Sequence, residues 1–159
     1  MDLPHFFDYS PITESLYIGI TPRSEDFNQL NQMGVRLVIN MRFEHRDKLN
    51  SQDIPLRILW LPTFDSPLIP IPLGALRRGV TAALGAIQEG GKVFVHCSRG
   101  RHRGVAMGAA ILIAQGNTPE EAMRLIKDRR QNADPYIWYI RRWILKFAAD
   151  WKARTVSPG

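Results

Sequence analysis

The sequence predicts an α/β fold, a mainly parallel central sheet flanked by helices, and three observations carry that prediction. Short apolar runs of strand length alternate with segments of helical spacing along the chain, the pattern that builds parallel sheets. The runs "VRLVINM" (35–41) and "LRILWLP" (56–62) are nearly continuous, as strands buried on both faces must be. A third run, "KVFVHC" (92–97), passes through an arginine- and glycine-rich turn directly into a helical segment. Parallel sheets gather their ligands at such carboxyl ends of strands.

The elements follow in order. "SLYIGITP" (15–22) reads as a first strand ended by Pro22. Ser24 is placed to cap a helix through "EDFNQLNQMG", with Gly34 as its stop. The charged segment "RFEHRDKLNSQD" (42–53) between the two apolar runs reads as a solvated connection or a short exposed helix. "TFDSPLIPIPL" (63–73) carries three prolines, which forbids a regular helix or a central strand and predicts a partly stiff surface loop. Helical spacing resumes over "GALRRGVTAALGAIQEGG" and stops at Gly90-Gly91. After the strand at 92–97, "RGVAMGAAILIAQG" is a helix rich in small residues, suited to close packing. Thr118-Pro119-Glu120-Glu121 is a capping box opening "EEAMRLIKDRRQN". Beyond Pro135, Ile137, Ile140, Ile144, Phe147 and Trp151 keep helical spacing on one face, and the tail "KARTVSPG" is expected to fray. No internal repeat or linker divides the chain, so a single domain over 1–159 is expected, with its core over about 8–151.

Composition narrows the function. With 159 residues, 45% of them hydrophobic, the chain is large enough for a core without staples. A net charge of +6 predicts anionic partners: phosphorylated molecules, nucleic acid or an acidic membrane surface. No DNA- or RNA-binding motif accompanies the charge, which leaves nucleic acid the weakest of the three. The single cysteine, Cys97, cannot form an internal disulfide and fits a reducing compartment. The amino terminus lacks a basic stretch leading into an apolar one, and no apolar run approaches ~18 residues, so a soluble, cytoplasmic protein is expected.

The chemistry concentrates in "HCSRGRHRG" (96–104). A loop between a strand and a helix start aims backbone N–H groups into one concavity, and the helix dipole adds positive potential there. Gly100 and Gly104 let the chain turn tightly toward a bound oxyanion. Arg103 returns to the mouth of the loop, where its planar fork can grip a phosphate. The same field favours thiolate over thiol at Cys97. A thiolate facing a bound phosphate predicts attack on phosphorus and a phosphocysteine that water then hydrolyses. His96 is expected to orient the cysteine backbone or sulfur, since a thiolate already formed needs no base. Asp65, on the proline-stiffened loop, is the best candidate to protonate a leaving oxygen; Asp47 and Asp53 lie in poorer contexts. Taken alone, Cys97 reads equally as a buried small side chain, Arg103 as a surface charge and Asp65 as a turn stabiliser.

His96-Cys97, five residues, then Arg103 resembles the HC-x5-R signature of cysteine-dependent protein tyrosine phosphatases. "LYIGITPRSEDFNQLNQMGVRLVINM" and "TPEEAMRLIKDRR" extend the resemblance to the compact, atypical dual-specificity phosphatases, over roughly residues 15–147. It implies Cys97 as nucleophile, Arg103 as phosphate clamp, Asp65 as general acid and the backbone of Ser98, Arg99, Gly100, Arg101, His102 and Arg103 as the phosphate cradle. It implies no cofactor and no metal. The family usually has Ser or Thr after the arginine, where this chain has Gly104. In the family that hydroxyl stabilises the sulfur as a leaving group, so its absence implies a slow second step or a hydroxyl supplied from elsewhere. Family members acting on phosphoinositides carry extra basic residues in the loop, as Arg99, Arg101 and His102 are here. The implied substrates are phosphoinositides or phosphorylated proteins.

Two alternatives stand beside the phosphatase: a phosphate-binding module that has lost turnover, and a rhodanese-like sulfurtransferase, which would not call for Asp65. Arg99 and Arg101 read either as substrate contacts or as solvated charges. The pairs Arg77-Arg78, Arg129-Arg130 and Arg141-Arg142 read as polar helix faces, with a lipid- or nucleic-acid-binding face as the sharper reading. Trp138, Trp143 and Trp151 are expected to pack, and His5 and His45 to be incidental.

Overall fold

The structure, a computed structural model, describes residues 6–49 and 54–156. Five strands form one sheet: β1 (Tyr9–Pro11), β2 (Leu16–Gly19), β3 (Val35–Arg42), β4 (Arg57–Thr63) and β5 (Lys92–His96). Their order is β1-β2-β5-β3-β4, with β2, β5, β3 and β4 parallel and β1 antiparallel at one edge. The helices are α1 (Asp26–Gln32), α2 (Leu73–Gln88), α3 (Arg103–Ala114), α4 (Pro119–Arg129) and α5 (Trp138–Val156).

Alternation along the strands sorts their side chains into two cores. Leu16, Ile18, Leu37, Ile39, Met41, Val93 and Val95 enter the larger one with residues of α2 to α5. Tyr17, Val38 and Phe94 enter a smaller one with Phe27 and Leu30 of α1. With apolar layers on both sides, β3 and β5 tolerate few polar side chains, which is why they read as continuous runs. α3 is buried from Arg103 to Ile113, and its small residues let it lie against the sheet. Burying an aliphatic side chain contributes roughly 1.5–3 kcal/mol, so β5 and α3 make a rigid frame for the loop they share.

Several expectations are corrected. β1 escapes a sequence reading because it has three residues and ends in Pro11, a residue allowed only where no ladder N–H is needed. Ser24 does not cap α1: the N-cap is Glu25, without a side-chain bond, and the Arg23 N–H donates to Asp26 Oδ2 at 2.7 Å. Gly34 does stop the helix, at φ 94°. The segment after β3 forms no helix over 42–49, and Asp47 within it is buried, not solvated. The capping box of α4 forms as expected, with the Glu121 N–H donating to Thr118 Oγ1 at 3.1 Å. α5 continues to Val156, so residues 152–156 of the tail are helical. Trp143 and Trp151 pack against the core, whereas Trp138 is 61% exposed. His5 and Asp53 lie outside the described residues. Among the described residues no helix is long and apolar enough to cross a membrane.

Candidate active site

The four parallel strands end at one edge of the sheet, and their first loop residues meet there. Thr21, Glu44 and Asp65 stand two residues beyond β2, β3 and β4, and Cys97 directly follows β5. Glu44, Asp65, Cys97, Ser98, Arg99, Arg101, His102 and Arg103 line a cavity of about 250 Å³. A wider groove between β4 and α2, about 880 Å³, is lined by Arg57, Arg77, Arg78, Thr81 and apolar residues and holds no cysteine and no acid.

Cys97 is 3% exposed, and the chain from it to Arg103 is held from outside by its carbonyls. Thr21 Oγ1 donates to the Cys97 carbonyl at 3.1 Å. Arg130 donates through Nη2 to the Arg99 carbonyl at 3.1 Å and through Nε to the Gly100 carbonyl at 2.9 Å. The Asp134 N–H donates to the Arg101 carbonyl at 3.0 Å. A trans peptide carries its N–H opposite its C=O. The N–H groups of Ser98, Gly100, Arg101 and His102 therefore turn away from these partners, none of which lines the cavity. Successive amides aimed to one side, at the first turn of α3, form an anion-binding concavity. Gly100 is required here: its φ is 63°, and a Cβ would come within 2.8 Å of both the Gly19 carbonyl and Arg130 Nη2.

Arg130 is thus a correction to the polar-face reading. It is 2% exposed, and beyond the loop carbonyls it bonds both carboxylate oxygens of Asp8 at 3.0 and 3.1 Å and Ser10 Oγ at 3.0 Å. Of the other pairs, Arg77 bonds Asp150, while Arg129, Arg141 and Arg142 are exposed.

Arg103 is 4% exposed and anchored at the rear of the cavity. Nη1 and Nη2 reach Glu44 Oε2 and Oε1 at 3.1 and 3.0 Å, and Nη1 also donates to the Thr63 carbonyl at 2.9 Å. Nε–H is left without a partner, a buried cationic donor available to an anion. Burial works against the charge on Arg103, but the Glu44 hydrogen bond and the neighbouring Cys97 hold its pKa above the ordinary value. Glu44 is correspondingly lowered to about 2, first by its bond to Arg103 and, against the opposing effect of burial, also by Arg42. Arg42 links the two ends of this network, donating to Glu44 Oε1 and Thr21 Oγ1, each at 2.8 Å.

Asp65 reaches the cavity on the loop after β4. Tyr139 of α5 donates its hydroxyl to Asp65 Oδ1 at 3.0 Å, and His102 Nδ1 lies 3.1 Å from Asp65 Oδ2. Burial and the bond to Asp65 push Tyr139 up to about 12, so it remains a neutral donor at ordinary pH. His96 does not reach the sulfur. Its ring is fully buried with Nε2 2.5 Å from Asp47 Oδ2 and Nδ1 unpartnered, so it braces the β5 end against the β3 loop. Asp47 is consumed by this pair and by His45, which lies 3.3 Å away and is not incidental. At Gly104 an ideal Cβ would stand 3.4 Å from Cys97 Sγ, so a hydroxyl-bearing residue there would lie beside the sulfur.

Thr21, Glu44, Arg130 and Tyr139 were not singled out as site residues in the sequence. Each sits far from Cys97 along the chain; the strand order brings Thr21 and Glu44 near, and the packing of α4 and α5 brings Arg130 and Tyr139. Glu44 alone had a signal, as an acidic residue just past the end of an apolar strand.

The fold and the loop recur in known proteins. A family model for the dual specificity phosphatase catalytic domain matches residues 16–148. Dual specificity phosphatase 28 of Mus musculus is 24% identical over 151 residues, spanning 94% of this chain and 90% of its own. Phosphatidylglycerophosphatase and protein-tyrosine phosphatase 1 of Rattus norvegicus is 33% identical over 132 residues, spanning 78% and 68%. A crystal structure of PTPMT1 aligns with a TM-score of 0.82 at 29% identity, over 94% of this chain and 99% of that one. A structure of PTPMT1 in complex with PI(5)P aligns with a TM-score of 0.81 at 29% identity, over 93% and 99%. A family match that runs from β2 into α5, on a shared fold, means that this chain belongs to the dual-specificity phosphatases of the cysteine-dependent protein tyrosine phosphatase superfamily, and is a phosphoric monoester hydrolase.

Proposed function

We propose that the chain hydrolyses phosphate monoesters through a phosphocysteine on Cys97, with polyanionic substrates of the phosphoinositide kind preferred over singly phosphorylated peptides. The observation that carries the mechanism is the loop whose Cys97, Arg99, Gly100 and Arg101 carbonyls are tied outward around a thiol at its base, with Arg103 Nε–H unpartnered beside it. The phosphoryl group sits on the amides of the loop and on Arg103. The Cys97 thiolate attacks phosphorus, the P–O bond to the leaving group breaks, and protonated Asp65 gives its proton to the leaving oxygen. Water then attacks the phosphocysteine, Asp65 takes a proton from it, and the P–S bond breaks to release inorganic phosphate and restore the thiolate. Glu44 keeps the guanidinium plane fixed, so the charge on the transferring group meets a preorganised cation.

The substrate preference rests on Arg99 and Arg101, which line the cavity beside the phosphate seat and can meet further phosphates on one headgroup. The complex of PTPMT1 with PI(5)P supports it. A second reading, a phosphate-binding protein with little turnover, is favoured by Gly104 alone, which leaves no hydroxyl at the place 3.4 Å from Sγ. Membership of the phosphatase family removes the ground for the sulfurtransferase alternative.

Phosphate release by the wild type and by Cys97→Ser, over an aryl phosphate, phosphopeptides and phosphoinositides, tests the proposal. Release that depends on Cys97 and is fastest on the phosphoinositides is expected. Binding of phosphorylated ligands by the folded wild type without release from any of them would establish the second reading instead.

A further inference from the structure

Eight large apolar side chains are exposed among the described residues, and six of them lie on the segments that border the Cys97 cavity. Phe43 and Phe64 directly precede the cavity residues Glu44 and Asp65, and their rings stack at 4.5 Å. Leu68 and Ile69 are on the same loop as Asp65, Leu68 being 89% exposed. Trp138 and Tyr136 flank the start of α5, where Tyr139 bonds Asp65 and the Trp138 ring lies 5.6 Å from that of Tyr139. Exposed apolar residues scattered singly need no explanation, but a cluster drawn from three separate segments onto one rim marks an interaction surface.

The charges on this rim say what the partner is. The acidic residues at the mouth are held internally: Glu44 is ion-paired with Arg42 and Arg103, and Asp65 is hydrogen-bonded to the Tyr139 hydroxyl and lies against His102. Arg99 and Arg101 line the cavity, and Arg46 and Lys48 follow Phe43 as exposed cations. Aromatic and aliphatic side chains interleaved with unneutralised cations, around a recess that seats a phosphate, complement an anionic bilayer surface. Of the helix-face arginines, read from the sequence as polar faces or as a lipid-binding face, Arg130 is buried and Arg77 is paired with Asp150, so neither adds to this surface.

We infer that the rim formed by Phe43, Phe64, Leu68, Ile69, Tyr136 and Trp138 docks the enzyme on an anionic lipid bilayer, with these side chains in the headgroup–acyl boundary and the Cys97 cavity facing headgroup phosphates. The inference rests on the hydrolase reading for its orientation, but vesicle binding is measured separately from turnover. Prolines 67 and 70 bracket Leu68 and Ile69 and hold that part of the rim outward without a folding step on contact.

The test is co-sedimentation of the full chain with vesicles of phosphatidylcholine, or of equimolar phosphatidylcholine and phosphatidylserine, for the wild type and for Leu68→Ser/Trp138→Ser. Both positions are exposed and outside the catalytic machinery, so the variant should keep the wild-type unfolding temperature and its rate on a soluble aryl phosphate. The wild type is expected to bind the anionic vesicles, and the variant to bind them roughly tenfold or more weakly. Hydrolysis of a vesicle-embedded phosphoinositide should fall in parallel. Equal binding by variant and wild type, or no binding by the wild type while it hydrolyses the aryl phosphate, would overturn the docking surface and leave the hydrolase reading intact. Vesicle binding that the variant loses, with no phosphate release from any substrate, would support the surface and sink the hydrolase. Loss of activity only on phosphopeptides with apolar flanks, without vesicle binding, would make the rim a protein-docking site and overturn the inference.

Discussion

Replacing Arg130 by Met probes how the phosphate seat is built without touching any residue that lines it. Methionine fills most of the space of the side chain but gives up all five hydrogen bonds. Those are the bonds to the Arg99 and Gly100 carbonyls, to both oxygens of Asp8 and to Ser10. Asp8 is partly exposed and regains water, whereas the Gly100 carbonyl sits against a buried guanidinium and loses its partner. A hydrogen bond to a charged group contributes ~1.5–3 kcal/mol, and with Asp8 rehydrated the two loop carbonyls carry the cost, so a loss of about 4 kcal/mol is expected. For a domain of this size each kcal/mol moves the melting temperature by about 2–4 °C, which gives a drop of roughly 10 °C. With the Arg99 and Gly100 carbonyls released, the loop no longer holds the Gly100 and Arg101 amides toward the cavity. Loss of a preorganised donor costs about 100-fold or more in kcat, measured on an aryl phosphate well below the melting temperature. Arg129→Met, at the exposed neighbour, should change neither quantity. A stable and fully active Arg130→Met enzyme would refute the view that outward-tied carbonyls make the anion seat.

Gly104→Ser puts a hydroxyl beside the sulfur and should speed phosphocysteine breakdown by about tenfold, seen as a smaller pre-steady-state burst and faster turnover; an unchanged burst would show that the second step does not depend on this position. Asp65→Asn should slow hydrolysis of esters with poor leaving groups by about 10²–10⁴-fold and barely affect an activated aryl ester, a contrast read from kcat across a leaving-group series. Glu44, with its pKa held at about 2 against 4.5 unperturbed, contributes stability that is fully present above about pH 4.5 and lost as pH falls through about 2. Because Glu44 is nearly half exposed, the amount is about 1 kcal/mol or less, and Glu44→Gln should flatten the melting temperature against pH over that window; an unaltered slope would assign the acid sensitivity to other carboxylates.

The strands, the proline-rich loop and the strand–loop–helix at Cys97 were legible because each is written in contiguous residues. A strand with apolar layers on both sides shows as an unbroken run, and a tight turn from a strand into a helix shows here as closely spaced glycines and arginines. The place of Asp65 at the cavity was legible for the same reason, as a carboxylate on a proline-rich loop. The supporting residues were not. Arg130 looks like half of a surface pair until the end of α4 is seen under the Gly100 carbonyl, and Tyr139 looks like one more aromatic on a helix. Glu44 and Thr21 become partners of Arg103 and Cys97 only because β3 and β2 both lie beside β5. His96 was legible in part. Its adjacency to Cys97 points to a residue that orients the cysteine backbone or sulfur, and because successive strand side chains point to opposite faces the ring meets Asp47 and braces the backbone at the end of β5.

The most direct test of the central claim is rapid acid quench of the enzyme during turnover of an aryl phosphate, followed by peptide mass spectrometry. The account predicts one phosphoryl group on the Cys97 peptide, more of it in the wild type than in Gly104→Ser, and none in Cys97→Ser. Phosphate release that persists in Cys97→Ser, or a phosphoryl group found on another residue, would contradict it.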